Sequence, residues 1–263
     1  MTAHVADRLV LVVPCYNEAL RLDTTAFTNA LAERSWLDLL FVDDGSTDRT
    51  LEMLQTLERA SGGRVTILAL TTNAGKAEAV RRGLLAACES GAPLCGFWDA
   101  DLAAPLAEID ALRATFSSRP ATSWVWGIRL RALGRNVVRR ALRHYLGRVF
   151  ATATSLVLHV DAYDTQCGAK LFRCAPLLKH VLSEPFRSRW IFDVELLVRA
   201  DSFLRAGGTA GVESAVYEQP LASWRHVEGS KVGPVDFLRA ARELSLVRRD
   251  RVRWERSSSS GPR

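Results

Sequence analysis

Apolar residues along this chain fall into short continuous runs that alternate with stretches of helical spacing. Residues 9–13 are apolar at every position, as a strand buried on both faces requires. Residues 22–32 carry apolar positions three and four apart, the mark of an amphipathic helix. The pattern repeats, predicting strands over 39–42, 65–70 and 94–98 and helices over 50–60 and 76–89. Strands without a polar face, alternating with helices, predict a mostly parallel sheet flanked by helices on both faces in a single α/β domain. No fixed-period repeat or linker interrupts residues 1–256, and residues 257–263 read as a disordered, low-complexity tail.

In such sheets ligands bind at the carboxyl ends of the strands. A polar cluster follows each predicted strand: Pro14-Cys15-Tyr16-Asn17-Glu18, Asp43-Asp44-Gly45-Ser46, Asn73-Ala74-Gly75-Lys76 and Asp99-Ala100-Asp101. Asp99 and Asp101 share a face in extended backbone, where like charges repel unless a cation compensates them. Mg²⁺ or Mn²⁺, held by carboxylates and by the phosphates of a substrate, meets that need. A solvated turn is the alternative for the pair taken alone. Tyr16 offers an aromatic face, Asp43 or Asp44 an acceptor for a base N–H, and Lys76 an ammonium at a helix N-terminus for phosphate. Each cluster also has a plainer reading: Ser46 or Thr47 caps the next helix, Pro14 stops a strand, and Gly75-Lys76 starts a helix. Together they form a nucleotide-diphosphate pocket. Neither G-x-G-x-x-G nor G-x-x-x-x-G-K-[ST] is present, which counts against hydride transfer and kinase chemistry.

Composition and charge add partners to this picture. The chain has 263 residues, 48% of them apolar, so it folds. Its apolar runs fall far short of the roughly 18 residues that span a bilayer, and residues 1–11 lack the features of a secretory signal. The 5 cysteines have no metal-site spacing, which suggests a reducing cytoplasm. Residues 111–160 hold no acidic residue, while Arg129, Arg135, Arg139 and Arg143 lie among their arginines. Such a block faces an anion. A helix from about Asn136 would set Arg135, Arg139 and Arg143 on one face, with Val138, Leu142, Tyr145 and Val149 as an apolar stripe. That helix either lies at a lipid interface or packs on the sheet. No nucleic-acid partner is expected, because the run lacks interleaved stacking aromatics and recognised binding motifs.

In order, Val12-Val13-Pro14-Cys15-Tyr16-Asn17-Glu18, Val42-Asp43-Asp44-Gly45-Ser46, Asn73-Ala74-Gly75-Lys76 and Asp99-Ala100-Asp101 resemble motifs of family 2 inverting glycosyltransferases with the GT-A fold. Asp164-Thr165-Gln166-Cys167-Gly168-Ala169-Lys170-Leu171-Phe172, Arg189 to Glu195 and Trp224 to Val232 resemble the dolichyl-phosphate β-glucosyltransferase branch. The resemblance implies that Pro14, Tyr16 and Glu18 line the base and ribose and that Asp43 and Asp44 read the base edge. It implies that Lys76 approaches the nucleotide, that Asp99 contacts ribose or metal, and that Asp101 ligates Mg²⁺ or Mn²⁺. Gln166 would sit at the donor sugar. Arg129 would hold the acceptor phosphate, a role extended to Arg135 and Arg139. Asp193 and Glu195 would stand where the fold keeps an acceptor-side carboxylate, as catalytic groups or as groups that order basic side chains; Trp190 and Trp224 would support sugar or lipid, or belong to the core.

The expected reaction moves a hexose, glucose from UDP-glucose, to a polyprenyl or dolichyl phosphate at the cytoplasmic membrane face, with peripheral membrane contact. Two departures stand out. Ala103 occupies the position where related mannosyltransferases place a Gln ligand, and the N-terminal membrane helix of the eukaryotic branch is missing from this sequence. The rivals are a same-fold transferase acting on a sugar hydroxyl or small molecule, for which Asp193 becomes an essential base, and a non-catalytic nucleotide- or nucleic-acid-binding protein.

Overall fold

A computed structural model describes residues 8–130, 136–137, 162–189, 191–225, 227 and 242–251. The first half alternates as expected: β1 (Leu9–Cys15), α1 (Thr24–Glu33), β2 (Leu37–Asp43), α2 (Thr50–Ala60), β3 (Val65–Ala69), α3 (Lys76–Glu89) and β4 (Leu94–Trp98). Then come α4 (Glu108–Ser118), β5 (Trp124–Ile128), β6 (Asn136–Val137), β7 (Ala169–Arg173), α5 (Pro176–Leu182), α6 (Phe192–Ala206), β8 (Val216–Pro220) and β9 (Ser223–Trp224). Residues 242–251 form a last helix, α7. Among the described residues, no helix is long and apolar enough to cross a membrane.

The main sheet has 7 strands in the order β3-β2-β1-β4-β7-β5-β8. β1 to β4 pair in parallel, β7 runs antiparallel to both β4 and β5, and β5 is parallel to β8. β1, β4 and β5 carry no charged side chain, and alternate side chains of the strands enter different cores. Val10, Val12, Val42 and Phe97 pack under α3, α5 and α6. Leu9, Leu11, Val13 and Phe41 pack under α1, α2 and α4. Two buried faces are what the continuous apolar runs require.

Three local expectations are corrected. Pro14 does not stop β1: the strand continues to Cys15 and still pairs with β2 there, while pairing with β4 ends at Val12. α1 starts at Thr24 rather than at residue 22, because the Asp23 carboxylate accepts the Ala26 N–H at 2.9 Å and caps it. Nor does a helix begin at Asn136, since Asn136–Val137 is a strand paired with Ser223–Trp224, a distant partner that local periodicity cannot reveal. The rest of that expected helix, with Arg139, Arg143 and its apolar stripe, lies outside the described residues, as do Arg135, Trp190 and the 257–263 tail.

α3 packs unusually close to the sheet, and Gly83 permits it. A Cβ at Gly83 would lie 2.3 Å from Val12 Cγ1 and 2.9 Å from Val42 Cγ2. Gly83→Ala should therefore lower the unfolding free energy by about 1–2 kcal/mol in urea titration, overpacking outweighing the roughly 1 kcal/mol of helix propensity gained.

Candidate active site

The carboxyl ends of β1 to β4 are stitched into one rim by side chains that bond across loops. Asp44 accepts the backbone N–H of Ala74 at 2.7 Å and of Gly75 at 2.8 Å, fixing the turn that opens α3 and presents Lys76. Burial pushes the Asp44 carboxyl up, against the pull of those two donors. Asp43 Oδ2 accepts the Ser46 N–H at 3.3 Å, while its buried Oδ1 has no hydrogen-bond donor. The two acids are only 2% and 3% exposed, so they wall the rim rather than project from it.

The expectation that Ser46 or Thr47 caps α2 is overturned. Arg49 holds the cap position without a side-chain hydrogen bond. Ser46 Oγ instead accepts the Asn17 N–H at 3.0 Å, and Thr47 N–H donates to Asn17 Oδ1 at 2.8 Å. Asp48 accepts Thr50 N–H at 2.9 Å and Ala19 N–H at 3.2 Å. The segment ties the β1 and β2 loops together, holding Asn17 in left-handed backbone at φ 53°. Glu18 turns back onto Arg21 through bonds of 2.9 and 2.6 Å, and Pro14 and Tyr16 are half-buried beside it.

Three ion pairs meet at the ends of β4, β5 and β7. Lys76 Nζ lies 2.5 Å from Asp99 Oδ1. Burial works to lower the Lys76 pKa, yet Asp99, Asp193 and Asp101 together raise it. Fully buried Lys170 bridges Asp193 at 2.7 Å, donates to the carbonyls of Thr165 and Cys167, and sits 4.5 Å from the Trp126 ring centroid. Burial raises the Asp193 pKa, opposed by Lys170 and Lys76. Arg129 forks onto Asp164 with two 2.7 Å bonds and lies 5.4 Å from the Trp224 ring.

Of the four acids gathered here, Asp99, Asp101, Asp164 and Asp193, Asp101 is the one with no ion pair to a described residue. Its Oδ1 takes only the Ala103 N–H, at 3.0 Å. Burial first, then Asp99, raise its pKa; Ala103, Lys76 and Arg21 pull it down. The next residue, Leu102, is held at φ 50°, a left-handed conformation costly for a branched side chain, which turns the chain sharply after the second acid. A hard oxygen donor left unpaired beside two lysine-neutralised acids fits a divalent cation completed by substrate phosphates. Asp101 fits that role better than Asp99, whose Oδ1 is taken by Lys76.

The 164–172 segment, remote in sequence, lies directly against the acids. Asp99 N–H donates to the Gly168 carbonyl at 2.9 Å, and a Cβ at Gly168 would stand 2.0 Å from Asp99 Oδ2. Glu195, expected beside Asp193, is elsewhere. Two residues along a helix point to nearly opposite faces, and Glu195 accepts Arg187 N–H, Ser188 N–H and Arg199 Nη2 at 3.1, 2.9 and 2.6 Å. It organises the loop before α6. Gln166 is exposed at the mouth of the segment.

Sequence reasoning gave no role to Lys170, Gly168 or Arg189. Lys170 did leave a signal, a cation set between the apolar residues Ala169 and Leu171 in the interior of a strand. Arg189 donates to the Ala74 carbonyl at 3.2 Å and lies over Gly75, so a second cation sits beside the α3 N-terminus; nothing in its local sequence foretells this.

A family model described as Glycosyl transferase family 2 matches residues 10–180. The chain is 29% identical over 263 residues to a dolichyl-phosphate beta-glucosyltransferase of Saccharomyces cerevisiae, spanning 91% of this chain and 74% of that one. A dolichyl-phosphate beta-glucosyltransferase of Trichomonas vaginalis is 30% identical over 249 residues, spanning 90% and 69%. In fold, the chain is similar to glucosyl-3-phosphoglycerate synthase from Mycobacterium tuberculosis, crystallised with Mn²⁺, UDP and glucosyl-3-phosphoglycerate, at TM-score 0.60 and 19% identity over 99% of this chain and 84% of that one.

The Lys170–Asp193 pair supplies a test of this geometry. Lys170→Met should cost about 3–5 kcal/mol in denaturant unfolding, because it strands a buried carboxylate. Adding Asp193→Leu should restore most of that loss, and additive losses would show that the two groups do not form a pair.

Proposed function

The chain belongs to glycosyl transferase family 2, and on that premise we propose that it transfers glucose from UDP-glucose to the phosphate of a polyprenyl lipid. The observation that carries the donor half is Asp101, with no ion pair among the described residues, beside the Lys76–Asp99 bridge at the strand ends. The acceptor half is supported by similarity to dolichyl-phosphate beta-glucosyltransferases over nine-tenths of the chain.

In this proposal Tyr16 and Pro14 flank the base, the Asp43 oxygen that lacks a donor is the acceptor left for a ring N–H, and Glu18 acts through Arg21. Lys76 and Arg189 face the diphosphate at the α3 N-terminus, where backbone N–H groups and the helix dipole favour an anion. Mg²⁺ or Mn²⁺ held by Asp101, with Asp99 behind it, would neutralise charge on the departing nucleoside diphosphate. Gln166 stands at the sugar.

The acceptor phosphate is anionic at pH 7, so its oxygen attacks the anomeric carbon without a strong base. That agrees with Asp193 being spent on Lys170. Asp193 then positions Lys170 and, through charge, Lys76, and Glu195 is a structural group. Arg129 commits Nε and Nη2 to Asp164, and we assign its Nη1 edge to the acceptor phosphate, a role extended to Arg135 and Arg139 from the sequence. A lipid acceptor brings the reaction to a membrane surface, and the basic 129–148 stretch is the proposed peripheral contact.

Incubation with labelled UDP-glucose, polyprenyl phosphate and Mn²⁺ should carry label into a butanol-extractable lipid, and a chelator should prevent it. Label in a soluble product alone would overturn the lipid acceptor in favour of a small molecule. Asp101→Asn should lower the rate about 10²–10³-fold, the size of losing one charge contact made to the transition state. An unchanged rate would remove Asp101 from the site.

A further inference from the structure

Five cysteines scattered along the sequence show no ligand spacing, but the fold gathers three of them. Cys88 lies in the last turn of α3, Cys95 is the second residue of β4, and Cys174 follows the end of β7. Their sulfur atoms all fall within 4.8 Å of one another, and Cys88 Sγ is 3.8 Å from Cys95 Sγ. All are free thiols. The Cys174 N–H donates to the Pro93 carbonyl at 2.9 Å, which anchors the third thiol against the start of β4.

This cluster is separate from the donor site. β4 begins at the opposite edge of the sheet from Asp99, four residues or about 13 Å away from Cys95. Lys76 and Cys88 stand at opposite ends of α3, about 18 Å apart at 1.5 Å per residue.

We propose that Cys88, Cys95 and Cys174 form a three-sulfur site for a thiophilic cation of the Zn²⁺ or Cu⁺ class. With metal–sulfur bonds of about 2.3 Å, two thiolates on one such ion lie about 3.8 Å apart, the separation Cys88 and Cys95 already have. Closing the third sulfur requires a movement of about 1 Å or less by this geometry, and Cys174 is the half-buried one that has room to make it. Hard cations are excluded by the donor set, since thiolates select soft ions.

The protons balance. Each sulfur binds the ion as a thiolate, so all three S–H protons leave on binding. A divalent ion binding all three sulfurs therefore releases three protons, and the site carries one net negative charge, near Lys179. The ion would staple the far ends of α3, β4 and β7, whose near ends carry Lys76, Asp99 and the Gly168–Lys170 segment.

Cd²⁺ alone, added to the reduced full-length protein, provides the test. One equivalent should produce a thiolate-to-metal charge-transfer band with the intensity of three sulfurs and raise the melting temperature. Cys174→Ser and Cys95→Ala should each lose at least a third of that intensity and bind at least tenfold more weakly, whereas Cys15→Ala should bind like wild type. No saturable band, or equal bands in wild type, Cys174→Ser and Cys95→Ala, would overturn the proposal. These readouts do not depend on glycosyl transfer, so they stand apart from any failure of the lipid assay.

Discussion

Lys170 is the group around which the catalytic half of the molecule is arranged. An ammonium with no exposure costs several kcal/mol to desolvate unless every proton finds an oxygen. The protein meets that demand with two carbonyls from the 165–167 loop and with Asp193 at the start of α6. Satisfying one cation thus curls the loop, docks α6, and seats Gly168 against Asp99. The Trp126 and Phe97 rings complete its surroundings by facing the charge.

From this follows the electrostatic balance of the rim. Lys76 neutralises Asp99, Lys170 neutralises Asp193, and Arg129 neutralises Asp164, so these three cations leave little uncompensated positive charge for Asp101. The left-handed Leu102 is strained backbone at the same spot, as functional turns often are. Pairing Asp99, Asp164 and Asp193 with internal cations leaves Asp101 as the acid of this group with no ion pair to a described residue. The pairs also make the two lysines interdependent, since Asp193 acts on both.

Much of the donor half was legible along the chain. α2, α3 and β4 have the bounds that the hydrophobic pattern predicts, because strands and helices packed locally in order leave their period in the sequence. Roles that depend on which way a side chain turns were less so. Asp193 and Glu195 look equivalent as neighbouring acids, yet the helix sends one to Lys170 and the other to the 187–188 loop. Ser46 and Thr47 look like caps until the β1 loop competes for them. Arg129 reads as a free cation until Asp164 is brought to it.

What the sequence determined by itself is the parallel α/β layering, the alignment of polar clusters at one edge, and the residue types for a nucleotide diphosphate and a cation. Period and strand polarity dictate these locally. The tertiary structure alone decided which charges cancel, that the 164–172 segment abuts Asp99, and that three scattered cysteines meet. Those facts arise from β7 inserting antiparallel between β4 and β5, a long-range pairing whose partners lie some 75 residues apart on one side and leave no local period.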